Sequence, residues 1–143
     1  VIEDFILPEK ISELLDLNPD YAVEAIDSIT PKLFFIRQAL ERKVNFVSSM
    51  GAGGKMDPTK IKIADIGGSY NCKLAHHIRK KLSKHGIKSG FPVVFSTELP
   101  NKDSLLYTDG SNYKKSAYGT MSYLPAAFGG AVASVALRDL ING

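Results

Sequence analysis

The spacing of apolar residues predicts four elements in the first 50 residues of the chain. Apolar positions three and four apart predict helices over 8–16 and 30–42, and short apolar runs with β-branched residues predict strands over 21–26 and 44–49. Pro31 stands in the first turn of the second helix, where the missing N–H of proline costs little. Strand, helix and strand at these distances form a βαβ unit, and we expect its two strands to run parallel.

The pattern changes in the second half of the chain. Residues 60–66 alternate between apolar and polar and residues 91–96 are mostly apolar, which predicts two further strands. Residues 71–85 show the spacing of an amphipathic helix, and residues 124–141 predict a helix rich in small side chains. Residues 97–120 have no periodicity and many turn-forming residues, which is typical of a functional or mobile loop.

Together these elements predict the α/β class, with a mixed sheet of about four strands and flanking helices. The connection between residues 49 and 60 is too short for a crossover helix. We therefore expect the strand over 60–66 to run antiparallel to the strand before it.

Composition supports a globular domain, and the charge distribution adds a candidate interface. The chain has 143 residues, 44% of them hydrophobic and 23% charged, which is typical of one domain with its own core. Its formal net charge is +3, but residues 1–30 carry eight acids and one base, whereas residues 67–97 carry six Lys or Arg and no acid. The basic segment predicts either a solvated helix face or a contact with an anionic partner.

The single cysteine and the longest uncharged stretch limit the class of protein further. Cys72 has no second cysteine to pair with, so a disulfide within the chain and a zinc site built from cysteine alone are excluded, and we expect a cytoplasmic protein. Residues 118–137 carry no charge, but their apolar part includes Pro125 and is shorter than the ~20 residues that span a bilayer. We predict a buried helix there and no membrane contact.

Asp27 is the main candidate for chemistry. It follows the predicted strand over 21–26 and precedes a helix, at the edge where open α/β sheets bind their ligands. A carboxylate at this place can hold Mg²⁺ carried by a nucleotide, because Mg²⁺ prefers one or two carboxylates together with phosphate oxygens. The alternative is that Asp27 helps to cap the helix that begins near Thr30, and position alone does not decide between the two.

Three other features carry weaker signals. Gly51–Gly54 is followed by a proline and a strand, so we expect a tight turn or a close backbone approach rather than a phosphate-binding loop. Cys72 has no paired base in the sequence, and His76 and His77 lie about 100° apart on a helix, which argues against a nucleophile and a metal site. The basic helix can position RNA phosphates without reading sequence, through Lys73, Arg79, Lys80, Lys81 and Lys84.

Four segments, taken in order and spacing, resemble one protein family. They are Ala25-Ile26-Asp27-Ser28, Gly51-Ala52-Gly53-Gly54, Val94-Phe95-Ser96-Thr97-Glu98 and Gly119-Thr120-Met121-Ser122. The chain resembles, over nearly its whole length, the C-terminal half of the ThiF/MoeB/HesA family, the bacterial relatives of ubiquitin-activating enzymes. Within that family it is similar to the branch of tRNA threonylcarbamoyladenosine dehydratases.

The resemblance implies a Rossmann-like activating-enzyme fold and ATP-dependent adenylation of a carboxylate. In this branch the carboxylate belongs to the threonyl group on a tRNA adenosine, and activation is followed by closure to a cyclic derivative. The resemblance implies that Asp27 is catalytic and coordinates Mg²⁺, that Ser28 and Lys32 contact the nucleotide, and that residues 97–120 form a crossover loop over the substrate. It also implies ATP and Mg²⁺ as cofactors, tRNA or a ubiquitin-like carrier protein as partner, and a homodimer.

The chain departs from the family pattern in two ways. The family's glycine-rich nucleotide loop, and the basic residues that hold the ATP phosphates, belong to an N-terminal half that these 143 residues lack. We expect a single partial domain over 1–143, inactive alone, with an uncovered sheet edge near 21–26. The two Cys-x-x-Cys pairs of many relatives are also missing, which favours the dehydratase branch. The alternatives are an activating enzyme for a ubiquitin-like sulfur carrier and a non-enzymatic RNA-binding or dimerisation module.

Overall fold

The computed structural model describes residues 3–4, 6–101, 105–107 and 116–143. Two 3₁₀ turns, Pro58–Lys60 and Ile66–Gly68, flank the third strand. The helices and strands follow in this order: α1 (Pro8–Asp16), β1 (Ala22–Glu24), α2 (Ile29–Arg42), β2 (Phe46–Ser49), β3 (Ile61–Asp65), α3 (Lys73–Ser83), β4 (Pro92–Ser96), β5 (Leu105–Tyr107), β6 (Ser116–Tyr118) and α4 (Tyr123–Asn142).

One four-stranded mixed sheet, in the order β1-β2-β4-β3, organises the fold. β1 pairs with β2 and β2 with β4 in parallel, whereas β3 pairs antiparallel with β4. The predicted parallel βαβ unit is therefore confirmed. β3 runs opposite to β2, as its short connection predicts, but the two strands do not pair because β4 lies between them and bonds to both.

Different helices cover the two faces of the sheet. α1, α2 and α3 pack on one face, where Ile36 and Ile78 join Phe95 in one hydrophobic core. α4 packs on the other face, where Phe128 joins Val94 in a second core. Val94 and Phe95 enter different cores because successive strand residues point to opposite faces. The central strands are thus buried on both sides, as expected for a three-layer α/β arrangement.

The C-terminal helix is buried along one narrow face only, so the prediction of a buried helix is only partly confirmed. Its buried residues recur at helical spacing from Leu124 to Val135, while Leu137, Leu140 and Ile141 are exposed. Among the described residues, α4 is the one helix that is long and apolar enough to cross a membrane by length and composition, with 22% of its apolar window buried. The exposed side of α4 is therefore an apolar surface outside both cores.

The predicted crossover loop falls only partly on the described residues. The absence of periodicity over 97–120 predicts no regular structure, but β5 and β6 pair antiparallel there, with Leu105 opposite Tyr118. The sequence pattern of the predicted loop does not indicate these two short strands. Residues 102–104 and 108–115 of the predicted loop lie outside the described residues.

Candidate functional site

A large cavity opens at the carboxyl ends of the parallel strands β1 and β2. Its volume is about 1250 Å³. Its wall includes the turn after β1, the glycine-rich segment after β2, the start of α3 and the first half of α4. Ligands of open α/β sheets bind at this end of the strands, so the cavity lies where the topology predicts a binding site.

Asp27 and Ser28 lie on the wall of this cavity and are both exposed. They form the turn between β1, which ends at Glu24, and α2, which begins at Ile29. Ser28 occupies the N-cap position of α2 but makes no side-chain capping bond. Thr30, near which the helix was predicted to begin, is the second residue of α2. An exposed carboxylate beside a hydroxyl can present oxygen ligands to a cation in the cavity.

Lys32, the third residue predicted to contact a nucleotide, lies in the interior and not on the cavity wall. Its ammonium group donates to the Glu24 carboxylate at 2.6 Å and to the carbonyl oxygens of Ile26 at 3.1 Å and Ser49 at 2.7 Å. The side chains of Lys32 and Glu24 are both fully buried. Burial lowers the pKa of Lys32, and the charge of Glu24 opposes that shift. These contacts hold the ends of β1 and β2 together beneath the cavity.

The glycine-rich segment forms a close backbone contact, as the sequence predicts. Gly54 has a φ of 72°, a conformation that side-chain-bearing residues rarely adopt. Its N–H donates to the carbonyl of Gly119 at 2.9 Å, and its carbonyl accepts from the N–H of Asn101 at 2.7 Å. A 3₁₀ turn and a strand follow instead of a helix. The segment therefore joins both ends of the 97–120 region to the cavity wall.

Lys55 is a buried cation at the cavity that the sequence analysis missed. Its ammonium group donates to the carbonyl oxygens of Ser96 at 2.7 Å, Glu98 at 2.9 Å and Asn71 at 3.3 Å. The Glu98 carboxylate in turn accepts from the N–H groups of Met56 and Asp57. Desolvation lowers the pKa of Lys55, while the charges of Cys72 and Glu98 oppose the shift. The position of Lys55 directly after a glycine run was the one signal in the sequence for a special role. Its burial could not be predicted, because its hydrogen-bond partners are distant in sequence.

The predicted RNA-binding residues of α3 separate into two groups. Lys73 and Lys81 are exposed and line the cavity, and Lys80 and Lys84 are exposed on the same helix. Arg79 is half-buried, and its guanidinium donates to the carbonyl oxygen of Ser69 at 2.6 Å. The basic helix is therefore continuous with the cavity through two of its lysines, while Arg79 bonds to the protein's own backbone.

The structure describes no metal site built from protein ligands alone. Among the described residues, no group of three or more His, Cys, Asp or Glu side chains could hold a metal ion. Cys72 is buried with a free thiol and lines the cavity. A cation at Asp27 would therefore take most of its ligands from a bound molecule or from water.

Comparison with known proteins identifies a set of similar sequences and structures. No protein-family model matches the chain. The tRNA threonylcarbamoyladenosine dehydratase of Bacillus subtilis (strain 168) is 40% identical over 96 residues, which cover 67% of this chain and 38% of that protein. The dehydratase of Haemophilus influenzae is 32% identical over 139 residues, covering 90% of this chain and 53% of that protein.

The solved structures agree with the sequence matches. The crystal structure of E. coli tRNA N6-threonylcarbamoyladenosine dehydratase, TcdA, in complex with ATP has a TM-score of 0.83 and 29% sequence identity. The alignment covers 99% of this chain and 56% of that chain. The chain thus spans between 38% and 56% of the length of these relatives.

These matches confirm the fold and the family predicted from the sequence. The chain has the mixed α/β fold of one part of a ThiF/MoeB-family protein, consistent with the C-terminal half of an activating-enzyme domain. The particular relatives that it matches are tRNA threonylcarbamoyladenosine dehydratases.

Proposed function

We propose that this chain forms part of the active site of an ATP-dependent tRNA threonylcarbamoyladenosine dehydratase. The observation that carries the proposal is the exposed Asp27 carboxylate on the wall of a large cavity, at the carboxyl end of a parallel strand. The names of the similar proteins supply the reaction and the tRNA substrate, and one similar structure is a complex with ATP. The chain spans only part of these proteins, so the complete site requires the full-length protein.

The residues at the cavity fit a nucleotide-bound Mg²⁺ ion. Mg²⁺ retains several waters and is commonly held by one or two carboxylates together with phosphate oxygens, so a single Asp27 carboxylate is a sufficient protein ligand. Ser28 adds a neighbouring hydroxyl, and both side chains are exposed on the cavity. When bound, Mg²⁺ neutralises part of the phosphate charge of ATP. Asp27 and Ser28 orient the nucleotide, and Lys73 and Lys81 add positive charge around the same cavity.

The proposed reaction removes water by converting a poor leaving group into a good one. A substrate carboxylate oxygen bonds to the α-phosphorus of ATP and pyrophosphate leaves. A nucleophilic atom of the same threonylcarbamoyl group then bonds to the activated carbonyl carbon, gives its proton to solvent and displaces AMP. One ATP is thus converted to AMP and pyrophosphate for each water removed. A cavity that is walled by the sheet ends and by α4 shields such an activated carboxylate from hydrolysis.

We also propose that the exposed face of α3 binds the tRNA backbone next to the cavity. Lys73 and Lys81 reach the cavity, and Lys80 and Lys84 extend the positive charge along the helix. Residues 67–97 contain no acidic residue, so this segment carries positive charge without local compensation in sequence. Each phosphate contact adds sequence-independent affinity that falls with salt concentration, so α3 would orient the RNA while the cavity selects the modified base.

The exposed apolar side of α4 supports the further proposal of a homodimer. Leu137, Leu140 and Ile141 are each at least half exposed, and apolar patches of this kind mark protein interfaces. Light scattering of the full-length protein tests this: we expect twice the monomer mass, and a monomer for a Leu137→Glu, Leu140→Glu variant. A monomeric wild-type protein would refute the dimer.

The substitution Asp27→Asn in the full-length protein tests the main proposal. It removes the charge and keeps the size, so we expect ATP-dependent dehydration of modified tRNA to fall by about 100-fold or more, in the range found for essential electrostatic groups. Asp20→Asn is the matched control, since Asp20 is an exposed aspartate that precedes β1, whereas Asp27 follows it, and Asp20 does not line the cavity. Full activity of the Asp27 variant, or adenylation of a ubiquitin-like protein without any tRNA product, would contradict the proposal.

A further inference from the structure

A buried ion pair lies directly beneath Asp27. Glu24 is the last residue of β1 and Lys32 lies in the first turns of α2, so the pair brackets the turn that carries Asp27 and Ser28. The Lys32 Nζ atom is 2.6 Å from the Glu24 Oε2 atom, and neither side chain is exposed to solvent. The buried pair therefore lies between the two elements that the turn connects.

The two side chains hold both polar backbone groups of the residue before Asp27. Glu24 accepts a hydrogen bond from the N–H of Ile26 at 2.6 Å. Lys32 donates to the carbonyl oxygen of Ile26 at 3.1 Å. The peptide groups on either side of Ile26 are thus fixed, and the position of the Asp27 Cα atom follows from them.

The same cluster extends to the neighbouring strand. The hydroxyl of Ser48 donates to the Glu24 carboxylate, and Lys32 donates to the carbonyl of Ser49 at 2.7 Å. Ser49 is the last residue of β2, and the glycine-rich wall of the cavity follows it. The cluster therefore fixes the position of the turn after β1 relative to the end of β2.

Stability alone is a weak reason for such a cluster. Desolvation of two charges offsets much of their attraction, and well-packed apolar residues of the same volume often stabilise a fold as well or better. An apolar pair could not bond to the N–H and carbonyl of Ile26. What the ion pair supplies beyond packing is a directed set of hydrogen bonds at the point where Asp27 leaves the sheet.

We infer that Glu24 and Lys32 are positioning residues that set the Asp27 carboxylate for its ligand in the cavity. The inference rests on the proposed function, in which Asp27 binds a nucleotide-bound cation. It also gives Lys32 a role through the backbone rather than through direct contact with the nucleotide. Residues that orient a metal ligand without touching the metal commonly contribute to metal affinity, and their loss weakens it by about 10–100-fold.

The experiment compares two double variants of the full-length protein. Glu24→Gln, Lys32→Met removes both buried charges together, so no unpaired charge remains in the interior. Asp16→Asn, Arg42→Met removes the more exposed ion pair at the other end of α2, whose N–O distance is 3.0 Å. Wild-type protein and the single variant Asp27→Asn complete the set. The readouts are the midpoint of thermal unfolding and the affinity for Mn²⁺, a probe for oxygen ligand sites, in the presence of ATP.

We expect the Glu24, Lys32 double variant to unfold cooperatively near the wild-type midpoint and to bind Mn²⁺ with ATP about tenfold or more weakly. The Asp16, Arg42 variant should retain wild-type affinity. Unchanged Mn²⁺ affinity in the Glu24, Lys32 variant, while Asp27→Asn loses it, overturns the inference and leaves the proposed function intact. Unchanged affinity in Asp27→Asn overturns the proposed function itself.

A second measurement keeps the inference testable if the double variant does not fold. Ser48→Ala removes one hydroxyl that donates to Glu24 and leaves both charges in place. Amide hydrogen exchange of the peptide around Ile26, measured without ligand, should be faster in this variant than in wild type, and Mn²⁺ affinity should fall about twofold to fivefold, below the effect of losing the pair. Wild-type exchange together with wild-type affinity would overturn the inference.

Discussion

The ammonium group of Lys55 lies 2.7 Å from the carbonyl oxygen of Ser96, the last residue of β4. This single contact ties the glycine-rich segment to the end of a central strand across 41 residues of sequence. Lys55 bonds two further carbonyls, and in the part of the chain that the structure describes it forms no salt bridge. Its ammonium group is therefore hydrogen-bonded to three backbone carbonyl oxygens.

The substitution Lys55→Met should destabilise the fold because three carbonyl oxygens lose their shared donor. Hydrogen bonds from charged groups contribute about 1.5–3 kcal/mol each, and relief of the buried charge offsets part of the loss, so we expect a decrease of about 2–4 kcal/mol in the free energy of unfolding. Urea unfolding provides the measurement. Lys60→Met is the control, since Lys60 is exposed and lies in the 3₁₀ turn that follows the glycine-rich segment. Equal stability of the two variants would contradict the structural role of Lys55.

The contact between Tyr21 and Asp139 predicts a loss of stability at alkaline pH. The Tyr21 hydroxyl donates to the Asp139 carboxylate at 2.8 Å. Burial raises the pKa of Tyr21 above its ordinary value of 10.0, and the hydrogen bond and charge of Asp139 raise it further. Above pH 10 the unfolded chain therefore releases a proton that the folded chain retains, so the stabilising contribution is full below pH 10 and declines above it.

Comparison of wild type with Tyr21→Phe isolates this effect. Wild type should be more stable near neutral pH because the variant lacks the hydrogen bond. The two free energies of unfolding should converge as the pH rises above 10, since phenylalanine does not ionise in either state. Urea unfolding at pH 8, 9, 10 and 11 provides the measurement. A difference that stays constant or grows with pH would contradict the predicted direction.

Two adjacent glycines should respond in opposite ways to the same substitution. A Cβ atom at Gly67 would lie 2.9 Å from the carbonyl oxygen of Lys88, whereas one at Gly68 would meet only Ala64 at an ordinary 3.8 Å. Gly67→Ala should therefore cost about 1–3 kcal/mol through forced displacement of backbone. Gly68→Ala should be neutral or stabilising by up to about 1 kcal/mol, because alanine restricts the unfolded chain. The midpoints of thermal unfolding of both variants provide the measurement. A lower midpoint for Gly68→Ala than for Gly67→Ala would contradict the close approach of Gly67 to the Lys88 carbonyl.

The proposed RNA surface predicts a change in the salt dependence of tRNA binding. Lys73→Gln, Lys81→Gln should weaken binding and reduce the slope of log affinity against log salt by about 1 for each phosphate contact that is lost. Lys60→Gln, on a different element, should change neither quantity. Filter binding at several salt concentrations provides the measurement. An unchanged slope in the double variant would exclude these two lysines from the RNA contact.

The local elements follow closely from the sequence, because their signals lie within short windows. The predicted helix over 8–16 coincides with α1, and the predicted strand over 91–96 with β4 apart from its first residue. The parallel pairing of β1 with β2 also follows, since a strand, a helix and a strand in succession leave few alternatives. The place of Asp27 at the sheet edge was predictable for the same reason.

The neighbours of β3 were not predictable in this way. Its short connection to β2 determines its direction but not its partner. β4 pairs with β2 in parallel and with β3 in antiparallel, and it comes last of the three in sequence. Only packing of the apolar strand β4 into the centre of the sheet, between two hydrophobic cores, decides the order.

The lysines show most clearly what sequence determines and what tertiary structure decides. The sequence by itself determined the helices and strands, the family resemblance, the charged segment on α3 and the edge at which Asp27 lies. Only the tertiary structure decided that Lys32 and Lys55 are buried while Lys73 and Lys81 reach the cavity. A lysine can be buried only where several acceptors converge, and the acceptors of Lys55 come from residues 16 to 43 positions away. That convergence exists only after the strands and helices have packed.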